Sequence, residues 1–143
     1  MVNERKKTIA DAGIIVSLID KRDKFHQWTS KQAESLPIPF LTCEAVISES
    51  CYLLHNIFQG ENTVLDFLKK GILQIDFSLS EEVEAIQTLM RKYGDVPMSF
   101  ADACLVRMSE LIDNSVVFTV DGDFLIYRKN GKKEIPLIIP EKK

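Results

Sequence analysis

Apolar residues along this chain fall into two alternating kinds of block: short continuous runs, and longer stretches with apolar positions three and four apart. Short runs at residues 8–10, 40–42, 72–76, 116–120 and 135–139 read as buried strands, the fourth being continuous and rich in β-branched residues. Between them, helical spacing predicts helices over residues 12–19, 24–35, 44–58, 62–70, 81–93 and 99–112. Pro37 and Pro39 close the second helix, Gly71 stops the fourth and Ser80 is placed to cap the fifth. Pro136 puts the last strand near a sheet edge, because proline cannot donate to a ladder. Strands alternating with helices define an α/β fold with a central, mainly parallel sheet of about five strands. At 143 residues, with no repeat or linker, the expectation is a single domain over residues 1–143.

Composition narrows the class. The chain is 45% apolar and 27% charged, as in ordinary globular domains, so disorder is not expected. No run of 18 apolar residues occurs, and the charged segment from Met1 to Lys7 leads into a strand, not a signal peptide. A cytoplasmic protein without membrane contact is the expectation. Cys43, Cys51 and Cys104 form no CxxC pair and read as reduced, structural thiols. A net charge of −3 argues against coating nucleic acid by bulk electrostatics, but not against holding one segment locally. The basic clusters Arg5-Lys6-Lys7, Lys21-Arg22, Arg91-Lys92 and Arg128-Lys129 with Lys132-Lys133 read first as solvated surface.

Against that background four acids stand out. Asp11 and Asp121 each close a strand-like run, while Glu49 and Asp102 sit among apolar helical neighbours: Ala45, Val46, Tyr52 and Leu53 for Glu49, and Met98, Leu105 and Val106 for Asp102. A carboxylate so placed loses hydration and needs compensation. Residues leaving the carboxyl ends of parallel strands face the crevice where such sheets bind ligands, so Asp11 and Asp121 should meet there. Each acid also has a local reading that stays open. Asp11 can cap the following helix, Asp121-Gly122 is a turn signal, Ser99 to Asp102 has capping-box spacing, and Glu49 can be an exposed charge at the edge of its stripe. Together, four converging carboxylates would repel one another and raise their own pKa values unless a hard divalent cation, Mg²⁺ or Mn²⁺, joined them. Such a cation can activate water and stabilise the attacking and leaving oxygens of an in-line displacement at phosphorus.

At these residues the chain resembles the PIN-domain nucleases of the VapC-like kind. The resemblance runs from Ile9-Ala10-Asp11-Ala12-Gly13, through Thr42-Cys43-Glu44-Ala45-Val46-Ile47-Ser48-Glu49 and Ser99-Phe100-Ala101-Asp102-Ala103-Cys104-Leu105-Val106, to Phe118-Thr119-Val120-Asp121-Gly122-Asp123-Phe124. It implies a PIN-like three-layer α/β/α fold and divalent-metal-dependent cleavage of RNA. Asp11, Glu49, Asp102 and Asp121 match the family's metal-binding, catalytic acids, Asp123 its additional acid and Thr119 the hydroxyl residue before the last acid. Glu44 ranks below Glu49, because the first turn of a helix favours acids for dipole reasons alone. Ala12 departs from the Ser or Thr common after the first Asp, which touches detailed water or phosphate contacts. Many members are toxins held by an antitoxin protein and form homodimers, so both partners join RNA as expectations.

Two other functions keep a place. A catalytically silent binding module on the same fold would keep the acids without turnover. A phosphoacceptor signalling domain would draw on Asp76, ending the third strand, and Thr119 in the fourth, but it needs a second acid beside Asp11 and a lysine closing the last strand; Ala10, Ala12 and Ile139-Pro140 stand there instead. His26 and His55 lack the helical pairing of a zinc protease, and no Gly-rich phosphate loop or nucleophile elbow occurs. Trp28, Tyr52 and Tyr93 could stack bases, with packing as the default. Arg107, on the helix of Asp102, is the candidate for orienting RNA, with a surface role as its alternative.

Overall fold

The central strand is β1 (Lys7–Ala10), whose Thr8-Ile9-Ala10 stretch is wholly buried. The computed structural model describes residues 5–141; residues 1–4 and 142–143, part of the expected domain span, lie outside the described residues. After β1 the chain forms α1 (Ala12–Ile19), α2 (His26–Glu34), β2 (Phe40–Thr42), α3 (Glu44–Leu53), α4 (Gly60–Lys69), β3 (Leu73–Ile75), α5 (Leu79–Lys92) and α6 (Phe100–Leu111). It continues through β4 (Ser115–Phe118), a 3₁₀ helix (Gly122–Leu125), β5 (Arg128–Lys129), β6 (Lys133–Glu134) and β7 (Leu137–Ile138).

All pairings in the main sheet are parallel, in the order β3-β2-β1-β4-β7. Ile9 faces Leu41 on one side and Val117 on the other, so the core begins at β1. Strand order reverses there: β2 and β3 build outward one way, β4 and β7 the other. The crevice between the carboxyl ends of β1 and β4 is therefore the switch point at which such sheets bind ligands. With six helices among the described residues packed around this sheet, the architecture is the three-layer α/β/α arrangement expected.

Helix α6 lies inside the molecule. Ala101 through Val106, Met108 and Ser109 are buried, and the helix packs on α3, α5, β1 and β4. A helix covered nearly all round belongs to a core, and this one carries Asp102. Across the sheet, Phe118 meets the rings of Trp28 and Phe40, which makes Trp28 a packing residue rather than a base-stacking one.

Several expected boundaries move, each for a local reason. Helix α3 ends at Leu53 rather than near residue 58, because the chain doubles back so tightly that a Cβ on Gly60 would stand 2.5 Å from the Leu54 carbonyl oxygen. Gln59, at φ 58°, makes that corner. Helix α5 starts at Leu79, with Ser78 and not Ser80 before it and no side-chain cap. Strand β4 stops at Phe118 rather than at residue 120, although the Thr119 N–H still donates to Ile138 O at 3.0 Å. The β5–β6 hairpin was not expected; Asn130 and Gly131, at φ 52° and 86°, turn it, and an Asn-Gly pair is its sequence signal.

Candidate metal centre

Asp11 is the first residue past β1, and both of its carboxylate oxygens are engaged. Oδ1 accepts the Ala12 N–H at 2.7 Å, capping α1, and Oδ2 accepts the Thr119 hydroxyl at 2.7 Å. The Asp11 N–H donates to Phe118 O at 3.1 Å, which stitches the end of β1 to the end of β4. Thr119 Oγ1 then accepts the Asp121 N–H at 2.9 Å, so one buried hydroxyl orients Asp11 and the backbone of Asp121 together. Asp11 is only 6% exposed. Burial pushes its pKa up to about 7 against the two bonds that favour the ionised form, with the charges of Asp102 and Glu49 adding to the rise.

The tightest group of acids is drawn from α6 and the turn after β4. Single carboxylate oxygens of Asp102, Asp121 and Asp123 lie within 4.8 Å of one another. Asp121 caps the 3₁₀ helix, its Oδ1 accepting the Asp123 N–H at 2.9 Å, and this fixes the two acids of the turn relative to each other. Ser99 Oγ accepts the Asp102 N–H at 3.0 Å, so the capping-box spacing is realised as well. Asp102 is 9% exposed, and its Oδ2 accepts the Tyr127 hydroxyl at 2.8 Å. Burial raises the Asp102 pKa, the Tyr127 bond opposes that rise, and the Asp121 charge adds to it.

Glu49 differs from its expected setting. It is exposed, and Tyr52 and Leu53 beside it are 72% and 50% exposed, because α3 buries Val46 and Ser50 instead. The apolar stripe through Glu49 therefore does not exist as a buried face. Glu49 stands on the flank of α3 toward the acids: partial desolvation and the charges of Asp102 and Asp121 raise its pKa. Glu44 is likewise exposed, in the first turn of α3.

No Lys or Arg pairs with these acids among the described residues; the ion pairs present join Arg22 to Asp20 and Arg107 to Glu82 and Glu110. The Arg107 guanidinium is held at 2.6 Å from Glu82 and 3.1 Å from Glu110, so its observed place is a clasp between α5 and α6, the alternative to orienting RNA. Arg128 is likewise occupied, donating to the carbonyls of Leu125, Ile126 and Tyr127. His26 bonds Ser17 O, and His55 stacks on Tyr52.

Tyr127 carried no role in the sequence reading, and Tyr93 stood there only as a base-stacking candidate with packing as its default. Tyr127 is fully buried, edge-on to Tyr93 at 5.1 Å and to Phe124 at 5.2 Å between ring centroids. Tyr93 Oη accepts the Arg128 N–H at 2.8 Å, pinning the chain next to Tyr127. The available signal was Phe124 and Tyr127, spaced as one helical turn directly after two acids.

The chemistry of the donors fits a hard cation. Oxygens on opposite sides of a bound Mg²⁺ lie about 4.2 Å apart, twice its usual ligand distance. With oxygens within 4.8 Å of one another, Asp102, Asp121 and Asp123 stand near the spacing such an ion requires. Three close carboxylates with no basic partner among the described residues also repel one another, and a divalent cation relieves that repulsion.

No protein-family model and no curated protein matches the sequence. Among solved structures, VapC20 of Mycobacterium tuberculosis, described as a toxin that cleaves the sarcin-ricin loop, superposes with a TM-score of 0.67 at 17% identity. The match covers 82% of this chain and 92% of VapC20. The chain thus has the PIN-like α/β/α fold seen in VapC20.

Proposed function

We propose that residues 1–143 form a single PIN-like domain acting as a divalent-metal-dependent endoribonuclease. The reading rests on the gathering of Asp102, Asp121 and Asp123 within 4.8 Å at the carboxyl ends of β1 and β4, with Asp11 and Glu49 beside them. Asp102, Asp121 and Asp123 would hold Mg²⁺ or Mn²⁺, and Asp11 and Glu49 would complete the negative pocket. When bound, the ion supplies a means of activating water and of neutralising charge on the attacked phosphate. The chain's own part is positional. Thr119 holds Asp11, the Asp121 cap holds Asp123, and the parallel strands set these groups on a rigid floor. No protein nucleophile is required.

RNA as substrate class and a toxin role draw support from VapC20, described as a toxin that cleaves the sarcin-ricin loop. An antitoxin protein and a second copy of the chain are the partners that this reading brings with it. No helix among the described residues is long and apolar enough to cross a membrane.

The test is cleavage of labelled RNA by the purified chain. Activity is expected with Mn²⁺ or Mg²⁺ and none with EDTA. Asp102→Asn, which keeps the side-chain shape, should lower the rate by more than the roughly 100-fold typical of losing an outer-shell partner. Equal rates in EDTA, or an unimpaired Asp102→Asn, would refute the assignment.

A further inference from the structure

The turn that supplies Asp121 and Asp123 also supplies the phenol that holds Asp102. Tyr127 follows the 3₁₀ helix capped by Asp121, its N–H bonds Asp123 O at 3.3 Å, and its hydroxyl donates to Asp102 Oδ2 at 2.8 Å. The ring cannot swing away, being wedged between Tyr93 and Phe124 with nothing of it exposed. Tyr93 fixes the following residue through the Arg128 N–H. Asp102 itself comes from a different element, the interior helix α6, so the phenol is a direct polar tie between the two segments that carry the close acids.

Building on the proposed metal site, we infer that Tyr127 is a positioning residue for the ion: its hydroxyl fixes the rotation of the Asp102 carboxylate, so that Asp102 meets Asp121 and Asp123 at one point. The physical ground is general. A ligand carboxylate held by an outer-shell hydrogen bond presents its free lone pairs in one direction, whereas an unrestrained one must be ordered when the ion arrives. Thr119 performs the matching task for Asp11. The two hydroxyls thus brace the acids contributed by β1 and by α6.

The experiment is calorimetric titration of Mn²⁺ into the full chain without RNA. Tyr127→Phe keeps the ring and its stacking and removes only the hydroxyl. It should weaken Mn²⁺ binding by about 10- to 100-fold. Tyr127→Phe placed in an Asp102→Asn background should weaken it no further, because the phenol acts through that carboxylate. Phe124→Leu, which loosens the stack but leaves the hydrogen bond, should bind Mn²⁺ several-fold more tightly than Tyr127→Phe. Wild-type affinity in Tyr127→Phe, or equal losses in Tyr127→Phe and Phe124→Leu, would overturn the role of the hydroxyl while leaving the metal site standing. If the wild-type chain takes up no Mn²⁺, the nuclease reading and this inference fall together.

Discussion

At Asp11 burial outweighs two hydrogen bonds, and the sign of that imbalance has a measurable result. Its pKa of about 7 in the folded protein stands above the ordinary 3.8, so between those values the folded state keeps a proton that the unfolded chain has released. The contribution of Asp11 to stability is present in acid and is lost as pH rises through about 7. In metal-free urea unfolding, Asp11→Asn should therefore gain on the wild type steadily from pH 4 to pH 7.5; parallel stability profiles would contradict it. Gly13 makes a second demand at this scale. A Cβ there would stand 2.6 Å from Val120 Cγ2, on a stiff side chain between Thr119 and Asp121. Gly13→Ala should lower the unfolding free energy by roughly 1–3 kcal/mol, the usual range for overpacking, as denaturant midpoints can show. Among the residues themselves, Asp11, Asp102 and Asp121 were legible because they break apolar runs. The local capping readings are realised in the structure: Asp11 bonds Ala12, and Asp121 bonds Asp123. Tyr127 was less legible: its spacing from Phe124 after two acids was the one signal, and a tyrosine beside basic residues breaks no apolar run.

Among the elements, α6 makes the strongest claim on stability, being interior, and Arg107 is its one long cation. Its guanidinium spans Glu82 of α5 and Glu110 of α6, while Glu110 Oε2 also accepts the Asn130 N–H of the β5–β6 hairpin. Arg107→Ala should destabilise by about 1 kcal/mol, the upper range for partly exposed pairs, and leave RNA cleavage by the folded fraction within a few-fold. A collapse of cleavage at unchanged stability would instead return Arg107 to the RNA-orienting role. The helices were readable from apolar spacing, but their ends were not. Where α3 ends is decided by the contact of Gly60 with Leu54, which no periodicity encodes. Glu49 shows the converse failure: apolar neighbours in sequence became an exposed flank, because Val46 and Ser50 took the buried side.

For the whole molecule, a mainly parallel sheet was implied by alternating strands and helices, but its order β3-β2-β1-β4-β7 was not, and the pairing of β1 with β4 joins residues more than a hundred positions apart. Sequence pattern locates such strands without stating who pairs with whom; the resemblance of the acidic blocks supplied what periodicity lacked. Metal should act on the fold as one body. At a hundredfold excess over its Kd, Mn²⁺ would add about 2.7 kcal/mol, very roughly 10 °C in melting temperature. The gain should be larger at pH 8 than at pH 5.5, because a proton on Asp11 opposes it. Equal shifts at both pH values would place the ion away from Asp11.

The span of the Thr119–Asp11 bond, 108 residues, has a last consequence for synthesis. A chain emerging from the ribosome carries Asp11 more than a hundred residues before its partner hydroxyl, the acids of the turn and the phenol of Tyr127. A polypeptide interrupted before that turn carries an incomplete set of the acids proposed to hold the ion. On the proposed reading, RNA cleavage therefore waits until the chain has been made through this turn.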